Sequence, residues 1–131
     1  MITPWLGNVS APRLAVVGLA LIAFLSGCGR GEVKQVEALK AEEVPQKIEE
    51  AFATAPAEAR QAATALAASI QSQPADAFFG LQALGYRPDL SPEQRQAAAQ
   101  AMLAAREKLE AAAAAGDAAA RQALEQQAAR K

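Results

Sequence analysis

Apolar residues along this chain form one unbroken run near the start and a series of spaced stripes after it. The run covers residues 14–25, which are apolar at all 12 positions. Between residues 33 and 52 the larger apolar residues recur every three to five positions, which is typical of one face of a helix. No segment alternates β-branched and polar residues in the way that a half-buried strand does. The pattern therefore predicts one apolar segment followed by helices, with no sheet.

Proline limits the first of these predicted helices. We expect it over residues 32–44, with an apolar stripe that reaches Val44. Pro45 interrupts the helix, because proline has no amide donor and disfavours helical geometry in the residue before it. Either a kink or a new helix start follows, and Ile48 and Phe52 continue the apolar stripe at a spacing of four.

Two further helices are predicted in the middle of the chain. The first begins near residues 54–56 and runs to about residue 71. Pro74 suits the first turn of the next helix, where a missing amide hydrogen has no consequence. This helix contains Phe78 and ends near Gly85, which is well placed as the residue just past the last turn.

The clearest helix start in the chain is the segment Leu90-Ser91-Pro92-Glu93-Gln94. The Ser91 hydroxyl can accept from the Gln94 amide while the Gln94 side chain accepts from the Ser91 amide, which is a capping box. The helix is expected to continue through the alanines at 111–115, until Gly116-Asp117 supplies a stop and a new N-cap. A last helix then covers about residues 118–129, where the only large apolar residue is Leu124.

Alanine accounts for much of the high apolar content, so that content does not indicate a large hydrophobic core. The chain has 131 residues and is 52% hydrophobic, but 36 residues are alanine and only 18 larger apolar residues lie between residues 29 and 131. Alanine is the best intrinsic helix former, although it buries little surface. The sequence therefore predicts a small all-α, alanine-rich bundle of helical hairpins, with four to five helices and a limited core.

A short segment occurs twice in the helical region. Arg-Gln-Ala-Ala begins at Arg60 and again at Arg95, an offset of 35 residues. Two helical hairpins would explain this spacing, which is similar to that of tetratricopeptide-like repeats. That resemblance implies paired helices and a surface that binds peptides or partner proteins. Chance matches within alanine-rich sequence are the alternative origin of the shared segment.

The apolar run 14–25 directly follows Arg13 and leads into the segment Leu25-Ser26-Gly27-Cys28. A helix of 12 residues reaches about 18 Å, which is short of the roughly 30 Å hydrocarbon core of a bilayer. A secretory signal therefore fits better than a permanent span. The final four residues match the lipobox, an aliphatic residue and two small residues before an obligatory cysteine. In this segment the chain resembles the bacterial lipoproteins.

The resemblance implies how the N-terminal region is processed. Signal peptidase would recognise Leu25, Ser26 and Gly27 and cleave before Cys28, whose Sγ then carries diacylglycerol and whose amine carries an acyl chain such as palmitate. The chain would then consist of a signal peptide at 1–27, the lipidated cysteine and a spacer at 28–31, and a helical domain at 32–131. Two or three acyl chains anchor a protein stably to a membrane.

Two other observations bear on the cysteine. It is the only one in the chain, so it cannot form an intramolecular disulfide in an oxidising compartment. The alternative interpretation is an ordinary buried cysteine at the end of an apolar segment.

In lipoproteins of double-membraned bacteria, an Asp after the cysteine tends to retain the protein in the inner membrane. Because Gly29 occupies that position here, the resemblance implies the outer membrane, with the domain facing the periplasm.

Residues that could carry catalysis are scarce. The chain has no histidine, and its serines do not stand in the sequence contexts of catalytic serines. The acidic pairs Glu42-Glu43 and Glu49-Glu50 are adjacent in a helix, so their carboxylates diverge and are expected to be solvated. We therefore predict no catalytic residue, no metal site, no cofactor and no small-molecule substrate. The formal net charge of −1 gives no basic field for nucleic acid.

An aromatic cluster is the other candidate site. It comprises Phe78, Phe79 and Tyr86. Adjacent positions on a helix diverge, so one phenylalanine is expected in the core while the other covers a neighbouring helix or stays at the surface. Core packing is one interpretation of the cluster. The other is a small apolar groove between hairpins that binds a partner helix or peptide.

These observations predict a lipid-anchored, periplasm-facing protein that acts as a structural or protein-interaction module. Its partners would be the membrane, through Cys28, and a protein or peptide. The alternative is a rod-like or partly disordered alanine-rich spacer in the cell envelope, although five prolines between residues 45 and 92 interrupt any long helix. The sequence does not point to an enzyme.

Overall fold

The structure is a computed structural model and describes residues 35–131. Within this range the chain forms five helices and no strand, which confirms the predicted all-α bundle. The helices are α1 (Val44–Phe52), α2 (Ala57–Ser69), α3 (Pro74–Gly85), α4 (Pro92–Ala114) and α5 (Ala118–Ala129).

The predicted first helix is wrong over its described part. Residues 35–43 are not helical, and α1 begins only at Val44, with Pro45 as its second residue. Proline is tolerated in the first turn of a helix, because the amide hydrogens there have no partner within the helix. Pro45 therefore starts a helix here, which is one of the two outcomes that the sequence left open.

One core lies among the first four helices. Its largest fully buried side chains include Phe52, Phe78 and Ile70. Ten of the 18 buried residues of this core are alanine. Such small side chains let helices approach one another closely while leaving few large groups to fix their packing. Helix α3 packs most extensively on α4, and α1 contacts both α2 and α4.

The predicted start of α4 is confirmed in detail. The Gln94 amide donates to Ser91 Oγ at 3.2 Å, and the Ser91 amide donates to Gln94 Oε1 at 2.9 Å. Both bonds satisfy amides that the first turn of a helix leaves without partners. Gln94 is also the only buried polar residue within 35–131, so one side of the capping box is shielded from solvent.

The predicted turn between α4 and α5 is also confirmed. Gly116 has a φ of 103°, a backbone conformation that residues other than glycine rarely adopt. Asp117 then caps α5, because its Oδ1 accepts from the amides of Ala119 at 2.9 Å and Ala120 at 3.1 Å. Helix α5 packs through a second, smaller cluster in which Leu109, Ala120 and Ala123 are buried. The fully buried residues that α5 contributes are therefore alanines, in keeping with a helix whose only large apolar residue is Leu124.

Gly85 does not have the predicted position. It is the last residue of α3, and Tyr86 follows it in a right-handed conformation with a φ of −87°. The Tyr86 amide donates to Ala83 O at 3.2 Å, and the Arg87 amide donates to Leu84 O at 3.1 Å. These short-range bonds tighten the last turn, so α3 ends without a left-handed residue.

Candidate functional site

The predicted lipidation segment lies outside the described residues. This applies to Cys28 and to the three residues before it, Leu25, Ser26 and Gly27. Within residues 35–131, no helix has both the length and the apolar character needed to cross a membrane.

The three aromatic residues of the predicted groove do not line one surface. Phe78 is 1% exposed and belongs to the main core. Phe79 is half-buried and meets the Phe78 ring edge to face, with ring centroids 5.1 Å apart. Tyr86 is 80% exposed. The structure therefore assigns Phe78 to core packing and separates it from Tyr86.

Phe79 covers the neighbouring helix, which is one of the positions expected for it. It packs against the small cluster beneath α5 as well as against the main core. The guanidinium of Arg130 lies over its ring, 5.6 Å from the centroid, within the range of a cation–π interaction. Phe79 therefore connects α3 to the C-terminal helix and is not free to line a binding groove.

Tyr86 lines a different groove, between α3 and α4. Its volume is about 200 Å³. The most apolar part of its wall comes from Leu81 and Met102, and Arg95 provides the only formally charged side chain. The remaining lining residues are Gln82, Gly85 and Ala99. This groove is the concave surface that the structure forms beside Tyr86.

The sequence contained a partial signal for the α4 side of this groove. Arg95, Ala99 and Met102 stand at i, i+4 and i+7, so they share one helix face. The helix that the capping box at Ser91 predicts includes Met102, but nothing in the sequence indicates that α3 ends beside it. The groove was missed because it depends on how two helices pack.

A charged cluster holds the loop that follows Tyr86. Arg87 donates to both carboxylate oxygens of Asp89, at 3.0 and 2.8 Å, and to Glu58 Oε1 on α2 at 3.5 Å. The hydrogen bond from Arg87 lowers the pKa of Asp89, and the same bond raises the pKa of Arg87. The cluster is accessible to solvent, so it positions the loop more than it stabilises the fold.

The acidic pairs considered as catalytic candidates are exposed. Both residues of Glu42-Glu43 and of Glu49-Glu50 face solvent, and Glu50 pairs with Lys47 at 3.4 Å. No group of three or more potential metal ligands comes together within residues 35–131. The described part of the chain thus presents a packed helical domain that has a mainly apolar groove beside the exposed Tyr86.

The chain matches no family model, and neither the comparison with curated proteins nor the comparison with solved structures finds a match.

Proposed function

We propose that this chain is a bacterial lipoprotein held at the membrane by lipid on Cys28. The observation that carries the proposal is the segment Leu25-Ser26-Gly27-Cys28 at the end of the apolar run 14–25. The run is too short to span a bilayer as a helix, and the chain contains no other cysteine. Covalent lipid is the form of attachment that fits both facts.

The helical domain acts as a protein-interaction module that faces the periplasm. This part of the proposal is supported by the shared core of α1 to α4, in which the sequence-distant helices α1 and α4 contact each other. Such contacts favour a packed domain over the rod-like spacer, in which distant helices would not meet. The domain also carries an exposed tyrosine beside a groove, which suits binding to a protein.

Intact-mass measurement tests the lipid anchor. The chain, with a C-terminal tag, is produced in a double-membraned bacterium and purified from membranes with detergent. We expect a mass for residues 28–131 plus diacylglycerol and one acyl chain. Cys28→Ser should remain unprocessed and carry no lipid. A wild-type protein that keeps residues 1–27, or that lacks the lipid mass, would rule out the anchor.

Membrane separation tests the location. The wild-type protein is expected in the outer-membrane fraction of a density gradient. Gly29→Asp should shift it to the inner-membrane fraction, while the matched change Gly29→Ala should leave it in place. An equal distribution of both variants would show that this position does not sort the protein.

A further inference from the structure

The groove between α3 and α4 is lined by the kinds of side chain that are enriched at protein interfaces. Tyrosine and arginine are enriched among residues whose loss most weakens binding, and methionine is enriched at interfaces in general. Tyr86, Arg95 and Met102 bring these three types together on one surface. Tyr86 is 80% exposed, and its ring offers a rigid apolar face with a polar end. This surface is therefore suited to bind a partner protein.

The groove is too small for a typical small-molecule ligand. Its volume of about 200 Å³ lies below the roughly 300–1,000 Å³ of most ligand pockets. The lining is mainly apolar, and its floor includes the buried Leu81. A single large apolar side chain from a partner suits this volume and this lining better than a free metabolite does.

Arg95 defines the charge that the occupant should carry. Within residues 35–131 its side chain makes no hydrogen bond, ion pair or cation–π contact. Each of the other five arginines in that range has a partner: a carboxylate for Arg87 and Arg106, a backbone carbonyl for Arg60 and Arg121, and an aromatic ring for Arg130. A guanidinium can bind a carboxylate with two parallel hydrogen bonds. Arg95 is therefore available for an acidic group at the edge of the groove.

We propose that this groove docks a protein segment in which a large apolar residue stands beside an Asp or Glu. The apolar side chain enters between Tyr86 and Met102, and the carboxylate binds Arg95. The inference rests on the proposed role as an interaction module and gives that module a position and a partner chemistry. It does not depend on the lipid anchor.

Peptide selection with charge reversal tests this inference. The mature protein, purified in detergent, is immobilised through its C-terminal tag and presented with a random seven-residue peptide library. We expect the selected peptides to pair an Asp or Glu with a large apolar residue. Arg95→Glu should weaken their binding at least tenfold and, in a fresh selection, should favour Lys or Arg at the acidic position. Tyr86→Ala should also weaken binding at least tenfold.

Arg121→Glu is the matched control. It makes the same charge change on an exposed part of α5 and should leave the selection unchanged. Because Arg95 and Tyr86 are exposed, their two variants should keep the thermal melting curve of the wild-type protein. Arg121→Glu loses only an exposed hydrogen bond to Gly116 O, so its melting curve should change little. A peptide set without acidic residues, or one that binds the Arg95 and Tyr86 variants as well as the wild type, would overturn the proposal. So would the recovery of no peptides, or self-association that Tyr86→Ala abolishes.

The mass measurement on the same preparation separates the two proposals. A protein without lipid that still selects acidic, apolar peptides refutes the anchor and leaves the groove assignment standing. A lipidated protein whose peptides ignore Arg95→Glu supports an interaction module and refutes this groove as its site.

Discussion

Gly80 on α3 is a position at which one added methyl group would meet a neighbouring helix. A Cβ added there would overlap Leu66 Cδ2 on α2 and lie 3.2 Å from Cδ1. The half-buried Leu66 side chain must shift to admit the methyl group, and overpacking costs up to about 1–3 kcal/mol where the surroundings are well packed. Alanine also favours a helix interior over glycine by about 1 kcal/mol. Gly80→Ala is therefore expected to reduce the free energy of unfolding by about 0–2 kcal/mol, with the steric term offsetting the gain in helix propensity.

The sign of this effect should depend on Leu66. In a Leu66→Ala background the obstructing atoms are gone, so only the propensity gain remains and Gly80→Ala should stabilise by about 1 kcal/mol. The difference between the two backgrounds is a coupling free energy of about 1–3 kcal/mol. For a domain of this size, 1 kcal/mol shifts the melting temperature by roughly 4–8 °C.

Urea denaturation followed by circular dichroism measures all four members of this cycle. Gly85→Ala is the matched control on the same helix, because a Cβ there meets nothing within 4 Å and should stabilise by up to about 1 kcal/mol in either background. If Gly80→Ala changed stability equally with Leu66 present or absent, the close approach of α2 and α3 would be wrong.

Three further predictions concern the core, a helix cap and pH. Phe78→Ala should lose about 3–5 kcal/mol of unfolding free energy, and Phe79→Ala less, because Phe79 is only half-buried. Equal losses in urea denaturation would contradict the difference in burial between the two rings. Ser91→Ala should lose about 1 kcal/mol through the missing N-cap, and an unchanged melting temperature would contradict the capping box. Arg87 lowers the pKa of Asp89 in the folded protein. The pair therefore stabilises the fold fully above the pKa of Asp in the unfolded chain, about 3.9, and this stabilisation is lost as the pH falls through the lower pKa that Asp89 has in the folded protein. Asp89→Asn should therefore be less stable than the wild type at neutral pH, and a stability difference that does not shrink below about pH 4 would refute the ion pair.

Local signals in the sequence predicted the second half of the fold well. The capping box at Ser91 and the Gly116-Asp117 junction are built from contacts between residues at most a few positions apart, so the sequence contains both partners of each interaction. The bounds of α5 follow from the same kind of signal. Alanine content reinforces these predictions, because it favours helix wherever no stop signal intervenes.

The first predicted helix failed for a physical reason. The spacing of its apolar residues fits a helix. An irregular segment that packs an occasional apolar residue on a core can show the same spacing. In the structure Leu39 packs partly against the main core while Val36 is 38% exposed. Periodicity over so few residues cannot distinguish a helix from an irregular segment. Pro45 does not decide between them either, because proline is compatible with both the end of one helix and the start of another.

The candidate site could be predicted only in part. An aromatic cluster was visible in the sequence, and the divergence of Phe78 and Phe79 follows from helix geometry. Which phenylalanine faces the core, and which surface Tyr86 joins, depends on the direction in which α3 packs against α4. Sequence spacing within α3 contains no information about that direction.

The sequence by itself determined that this protein is helical, where four of its helices begin, and which segment resembles a lipoprotein signal. Each of these depends on short-range chemistry: alanine propensity, capping side chains, proline, and a cysteine preceded by small residues. Tertiary structure alone decided that Phe78 is core, that Phe79 supports α5 under Arg130, and that Tyr86 and Arg95 flank one groove. With alanine occupying ten of the 18 buried positions in the main core, a few large side chains fix how the helices pack, and that packing creates the groove.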